Sequence, residues 1–137
     1  MSSGAYGSTS GTDERESRAL MAPLMVFSLA DEIASLRSES QWVDNDKSSR
    51  TLAKDIDFRA LLTVMHDGAT LDEGNGDARA SVQVIEGHVE LDVDGEVTQL
   101  AAHQLAVIDS GRPWILRAAT DCAVLVTFAW PIDKAGV

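Results

Sequence analysis

From Arg50 onward, short apolar stretches are cut by turn residues at regular intervals. The stretches run about five to nine residues, with breaks at Asp67-Gly68, Gly74-Asn75-Gly76, Glu86-Gly87, Asp94-Gly95, Ser110-Gly111 and Ala119-Thr120-Asp121. Alternation is clearest at residues 88–93, where Val89, Leu91 and Val93 share one face. Asp94-Gly95 is the signature of a two-residue type I′ hairpin, from which residues 96–100 return antiparallel. Short strands at this spacing, with almost no helix between them, predict an all-β sandwich or barrel.

The N-terminal third has a different rhythm. Residues 1–19 are rich in Ser, Gly and charge and lack apolar periodicity, so a flexible tail is expected there. Residues 23–27 (Pro-Leu-Met-Val-Phe) read as an edge strand. Ser28 then offers an N-cap, with Asp31 three residues on, and Leu29, Ile33 and Leu36 recur at helical spacing to about Arg37. The stretch 38–49 is polar apart from Trp42 and Val43 and reads as a loop with one anchoring aromatic. The expected organisation is therefore a tail over 1–19 and a single domain over 20–137.

Composition narrows the class without changing that picture. A chain of 137 residues, 45% of them apolar, is long enough to bury a core without disulfides or metals. No apolar run approaches the roughly 20 residues that cross a bilayer. Residues 1–12 have neither a basic nor an apolar region, so no secretory leader is expected. The single cysteine, Cys122, excludes an internal disulfide and suits a reducing, cytoplasmic setting. Acidic residues outnumber basic ones 22 to 11, for a formal net charge of −11, which disfavours nucleic-acid and membrane partners.

The spacing of the turn residues resembles the two motifs of the cupin superfamily. Its first motif runs Gly, five residues, His-x-His, three or four residues, Glu, six residues, Gly. Here Gly68 is followed by five residues, Gly74-Asn75-Gly76, three residues, Ala80, six residues and Gly87. The second runs Gly, five residues, Pro-x-Gly, two residues, His, three residues, Asn. Here His103 is followed by five residues, Asp109-Ser110-Gly111, two residues, Trp114, three residues and Ala118. The phrases SVQVIEGHVELDVDGE and LAVIDSGRPW are also similar to small bacterial cupins, and the resemblance spans residues 24–131. It implies an antiparallel double-stranded β-helix, a jelly-roll barrel, with a short N-terminal helix. It also implies that the four metal-ligand positions of the family are Gly74, Gly76, Ala80 and Trp114, none of which can coordinate a divalent metal. No metal and no other cofactor is expected. The turn glycines Gly68, Gly87 and Gly111 remain.

Strand parity is consistent with such a barrel. If Ala80 points inward, so do Val82 and Val84, while Ser81 and Gln83 point out; if Trp114 points inward, so does Leu116. The candidate ligand-binding residues are therefore Trp114, Val82, Val84, Leu116, Gly74 and Ala80, lining a lumen suited to a small apolar or aromatic molecule. Trp114 either stacks on such a ligand or fills the space that a metal and its ligands would take. Arg59, Leu61, Thr63 and Met65 share a face expected to be covered by the N-terminal segment or by another subunit. With the apolar segment 23–27, that face motivates a homodimer, as the resemblance also implies. No catalytic residue is assigned. His66, His88 and His103 lack metal-ligand pairing, Cys122 has no base nearby in sequence, and Arg112 has no phosphate loop beside it. The readings that follow are a non-catalytic binding or sensing module, a metal-independent isomerase or epimerase, and a purely structural dimeric barrel.

Overall fold

Nine antiparallel strands pair into two facing sheets in the computed structural model, which describes residues 22–74 and 76–131. The tail expected over 1–19 lies outside the described residues. The strands are β1 (Lys47–Lys54), β2 (Phe58–Met65), β3 (Thr70–Gly74), β4 (Arg79–Glu86), β5 (His88–Val93), β6 (Glu96–Ala101), β7 (Leu105–Ile108), β8 (Trp114–Ala118) and β9 (Cys122–Ala129). One sheet has the order β1-β2-β9-β4-β7 and the other β3-β8-β5-β6, the interleaved order of a jelly roll. The Asp94-Gly95 hairpin forms as expected, with φ of 55° and 89° at its two central residues, the left-handed pair that a type I′ turn needs.

Between the sheets the predicted parity holds. Ala80, Val82 and Val84 are buried while Ser81 and Gln83 are not, and Trp114, Leu116 and Ala118 are buried while Ile115 and Arg117 face out. Val89, Leu91, Val124, Val126 and Phe128 join them in one cluster. The face of β2 carrying Met65 belongs to this same interior, since Met65 packs in the cluster and Arg59 lies over Phe128. The expectation that the N-terminal segment or a second subunit covers that face is therefore corrected. It is the opposite face of β2, with Leu62 and Val64, that the N-terminal helix covers.

That helix, α1 (Leu29–Arg37), forms where the capping and spacing predict, with the Ser28 hydroxyl accepting from the Asp31 amide. Ile33 and Leu36 drive it onto Leu52, Leu62, Val64 and Ala123, a second cluster outside the barrel. Arg50 on β1 clamps it. Its guanidinium donates to Glu32 at 2.8 Å and to Glu39 at 2.5 Å, and its side chain keeps only 11% of its surface exposed. Two expectations fail here. Residues 23–27 form no strand; Phe27 packs against the outer cluster, while Leu24 and Val26 stay exposed. The stretch 38–49 is not all loop, because residues Ser40–Asp44 make a short helix, α2, and β1 begins at Lys47. Both segments that motivated a dimer thus find partners within the chain.

Gly87, between β4 and β5, is the tightest corner. Its φ is 86°, and a Cβ there would collide with the Asp121 carbonyl oxygen and lie 2.8 Å from the Cys122 Cβ. At Gly95, with φ 89°, nothing lies within 4 Å of that position. Gly95→Ala should therefore show only the left-handed backbone penalty, about 1–2 kcal/mol. Gly87→Ala should lose distinctly more, because neither a strand backbone nor a neighbouring Cβ can move aside. Paired urea denaturation curves check this; equal losses would show that the corner at Gly87 is slack.

Candidate functional site

One cross-strand row of the five-stranded sheet organises an end of the interior. It runs Ile108 on β7, Ala80 on β4, Phe128 on β9, Arg59 on β2 and Lys54 on β1. Residues directly opposed in a ladder share a face, so the row changes across the sheet from apolar to cationic. From the other sheet Trp114, paired with Gly74 and Val93, reaches across to Phe128. The two rings stack with centroids 6.3 Å apart and an interplanar angle of 20°. Two residues on, Trp130 stacks on the other side of Phe128 at 5.9 Å and 25°. The result is a column of three aromatic rings leading from the buried interior to the rim, with the Arg59 guanidinium 4.7 Å over the central ring.

Burial falls steadily along this column. Trp114 and Phe128 are each 3% exposed, whereas Trp130 and Arg59 are half-buried and Ile56 is 86% exposed. Around the outer end lies a cavity of about 410 Å³ lined by Lys54, Asp55, Ile56, Arg59 and Trp130. Asp55 is turned to its own loop, its carboxylate accepting from the Ile56 amide at 2.8 Å. A second hollow, about 450 Å³, opens on the outward side of β3, β8 and β5 beside Asp72, Asp92, Asp94 and the edge of Trp114. Its acids are engaged locally, Asp92 with the Gly95 amide and Asp94 with Arg112.

Solved structures share this arrangement of strands. An RmlC-like cupin from Desulfovibrio desulfuricans is 27% identical, with a TM-score of 0.57 over 64% of this chain and 85% of that one. The cupin domain of an XRE-family transcriptional regulator from Enterobacter cloacae is 19% identical, with a TM-score of 0.58 over 64% of this chain and all of that one. A conserved protein of unknown function from Streptococcus pyogenes is 22% identical, with a TM-score of 0.65 over 82% of this chain and 93% of that one. This chain is a cupin-fold domain. No family model matches the sequence, and no curated protein matches it.

Within the cupin fold, the sequence-predicted lumen residues Trp114, Val82, Val84, Leu116 and Ala80 come together in one buried cluster. Gly74 sits directly opposite Trp114 in the ladder, so it brings no side chain to that row. A metal does not fit here. The buried positions carry a methyl group and an indole already stacked on Phe128, and among the described residues no three His, Cys, Asp or Glu side chains converge. His66 lies under α2 instead, stacked on Trp42 at 3.5 Å with its Nε2 2.8 Å from the Trp42 carbonyl oxygen. His88 and His103 are exposed on the surface, His103 with a left-handed φ of 75°. Arg112 faces Asp94 at 2.9 Å, which answers its charge.

The sequence reading missed Phe128, Trp130 and Lys54, and placed Arg59 only on a partly apolar face. A signal was available. Phe128 and Trp130 follow the inward parity of Val124 and Val126 out past the end of β9. The cupin resemblance drew attention to the ligand positions instead, and the rim cavity is built from strands that carry none of them.

Three expectations follow. Trp114→Ala should destabilise by about 3–5 kcal/mol in thermal or urea unfolding, the usual loss for truncating a large buried aromatic; a loss near 1 kcal/mol would mean that water already reaches the ring. Elemental analysis of protein purified without a histidine tag should find no stoichiometric transition metal. The third concerns Cys122, which is fully buried. Burial pushes its thiol up to about 11, against an opposing pull from Arg37. Below the unfolded thiol's value, about 8.5, both states are protonated and stability is indifferent to this group. As pH rises toward 11 the unfolded chain ionises first, so stability should fall. Wild type should lose stability more steeply than Cys122→Ala over that window, and parallel slopes would refute the assignment.

Proposed function

We propose that this cupin-fold domain is a non-catalytic module that binds a small aromatic or apolar molecule at the barrel mouth, against Trp130. The observation that carries the reading is the aromatic column. Its inner ring is sealed into the core, its outer ring is half-buried, and a cavity of about 410 Å³ lies beside that outer ring. Small-molecule sites are concave, mostly apolar and oriented by a few polar groups, and typically measure about 300–1,000 Å³. The deep interior supplies no acid or base among the described residues, and the Cys122 thiol stays protonated at neutral pH. Those features disfavour the isomerase or epimerase reading, which needs a proton-transfer group in the lumen. One protein of this fold is the cupin domain of a transcriptional regulator, a setting in which binding alone would serve a function.

A purely structural barrel is the second reading, favoured by the near-complete burial of Trp114. Thermal melts with a panel of small aromatic and aliphatic compounds separate the two. A true ligand at a hundredfold excess over its Kd stabilises the folded state by about 2.7 kcal/mol. The binding reading expects a concentration-dependent rise in Tm with at least one aromatic compound, lost in Trp130→Ala. A panel that never shifts the melt would leave the structural reading in its place.

A further inference from the structure

We infer that the rim cavity takes a planar aromatic carboxylate, its ring on Trp130 and its anionic group on Arg59 and Lys54. The inference rests on the mouth-binding reading and specifies its ligand class. Three features of the cavity select that chemistry.

The first is the placement of charge. Lys54 and Arg59 are directly opposed in the β1–β2 ladder, and like charges in that relation work against strand pairing. Among the described residues Lys54 has no ion-pair partner. The chain as a whole carries −11, so two cations converging on one hollow stand out against their background. The one carboxylate in the lining, Asp55, holds the Ile56 amide and is drawn toward the turn. Electrostatics of the whole molecule would repel anions in general, and the rim is where an anion finds opposite charge.

The second is the orientation of Arg59. Its guanidinium lies 4.7 Å over the Phe128 ring. A guanidinium held by one face against a ring keeps its donors in its own plane, directed sideways, which is the fork geometry that carboxylates accept in bidentate fashion. Phe128 thus acts as a backing plate for the charge. Lys54 adds a flexible point charge from the neighbouring strand.

The third is the ring surface. Trp130 has one face against Phe128, and its half-buried indole lines the cavity. A flat aromatic ligand would extend the Trp114–Phe128–Trp130 column by one member, in the offset stacking that such rings favour. Exposed Ile56 offers apolar cover. A volume of about 410 Å³ accommodates a two-ring acid.

The test uses 1-naphthoate, the isosteric but uncharged 1-naphthamide, cyclohexanecarboxylate and inorganic phosphate. Each is titrated into ¹⁵N-labelled full-length protein while the three indole N–H resonances are followed. Trp130→Phe assigns the rim resonance. The expected result is saturable movement of the Trp130 signal by 1-naphthoate, with 1-naphthamide binding at least about tenfold more weakly. Cyclohexanecarboxylate and phosphate should also bind more weakly, because each lacks the ring. Lys54→Gln, an exposed change, should weaken 1-naphthoate several-fold and leave 1-naphthamide unchanged. Arg59→Lys should do the same, more strongly, through loss of the bidentate fork. Equal binding of the acid and the amide at Trp130 would overturn the anion assignment while leaving the mouth as a binding site. Phosphate binding as tightly as 1-naphthoate would overturn the aromatic half. If neither the acid nor the amide moves the Trp130 resonance, both this inference and the mouth-binding reading fail.

Discussion

Two facing sheets enclose a space that something must fill, and here Trp114 stacked on Phe128 fills it. That contact bridges the two sheets at the level where the resembling family holds a metal. A metal centre and its histidines would supply both volume and cross-sheet attachment. An indole on a phenyl ring supplies the same two things through dispersion and shape alone. Much else in this end of the molecule depends on it. The small residues Gly74 and Ala80 lie beside the two rings, Arg59 lies flat on Phe128, and Trp130 extends the stack outward. Replacing coordination by packing also removes any group that titrates or turns over, which is why the site reads as a place to bind rather than to react.

The fold was legible because its alternation is strong on one sheet and its turn residues carry strict backbone demands. Strand β8 reads buried, exposed, buried, exposed, buried, and the Asp94-Gly95 hairpin admits few interpretations. The five-stranded sheet was harder. Its inner strands β2 and β9 are covered on both faces, by the barrel interior and by α1, so their sequences run apolar without period and give no indication of which face is which. That ambiguity is what reversed the assignment of the Arg59–Met65 face. The short helix α2 was missed for a related reason. Five residues carry too little periodicity to register, and its one anchor, Trp42, is held by His66 and by the Arg37 guanidinium at 5.5 Å, contacts that only tertiary structure creates.

The site was legible only to the depth of the family pattern. Ala80, Val82, Val84, Trp114 and Leu116 were found because motif spacing and strand parity agree on them, and they form one buried cluster. The rim was not found, because it assembles from the β1–β2 turn and the residue after β9, far apart in sequence. Its cations looked like ordinary surface charge. What distinguishes Arg59 and Lys54 is their register, a property of pairing between strands that no linear pattern exposes.

The three tryptophans lie in three different compartments, Trp42 beneath the helices, Trp114 in the core and Trp130 at the rim. Indole emission shifts with the polarity and mobility of its surroundings, so the chain carries one native optical reporter for each layer. Detachment of the N-terminal helices, loss of core packing and occupancy of the mouth therefore each act on a separate chromophore. Variants that retain one tryptophan at a time turn a single spectrum into three local readings, without a dye or a label.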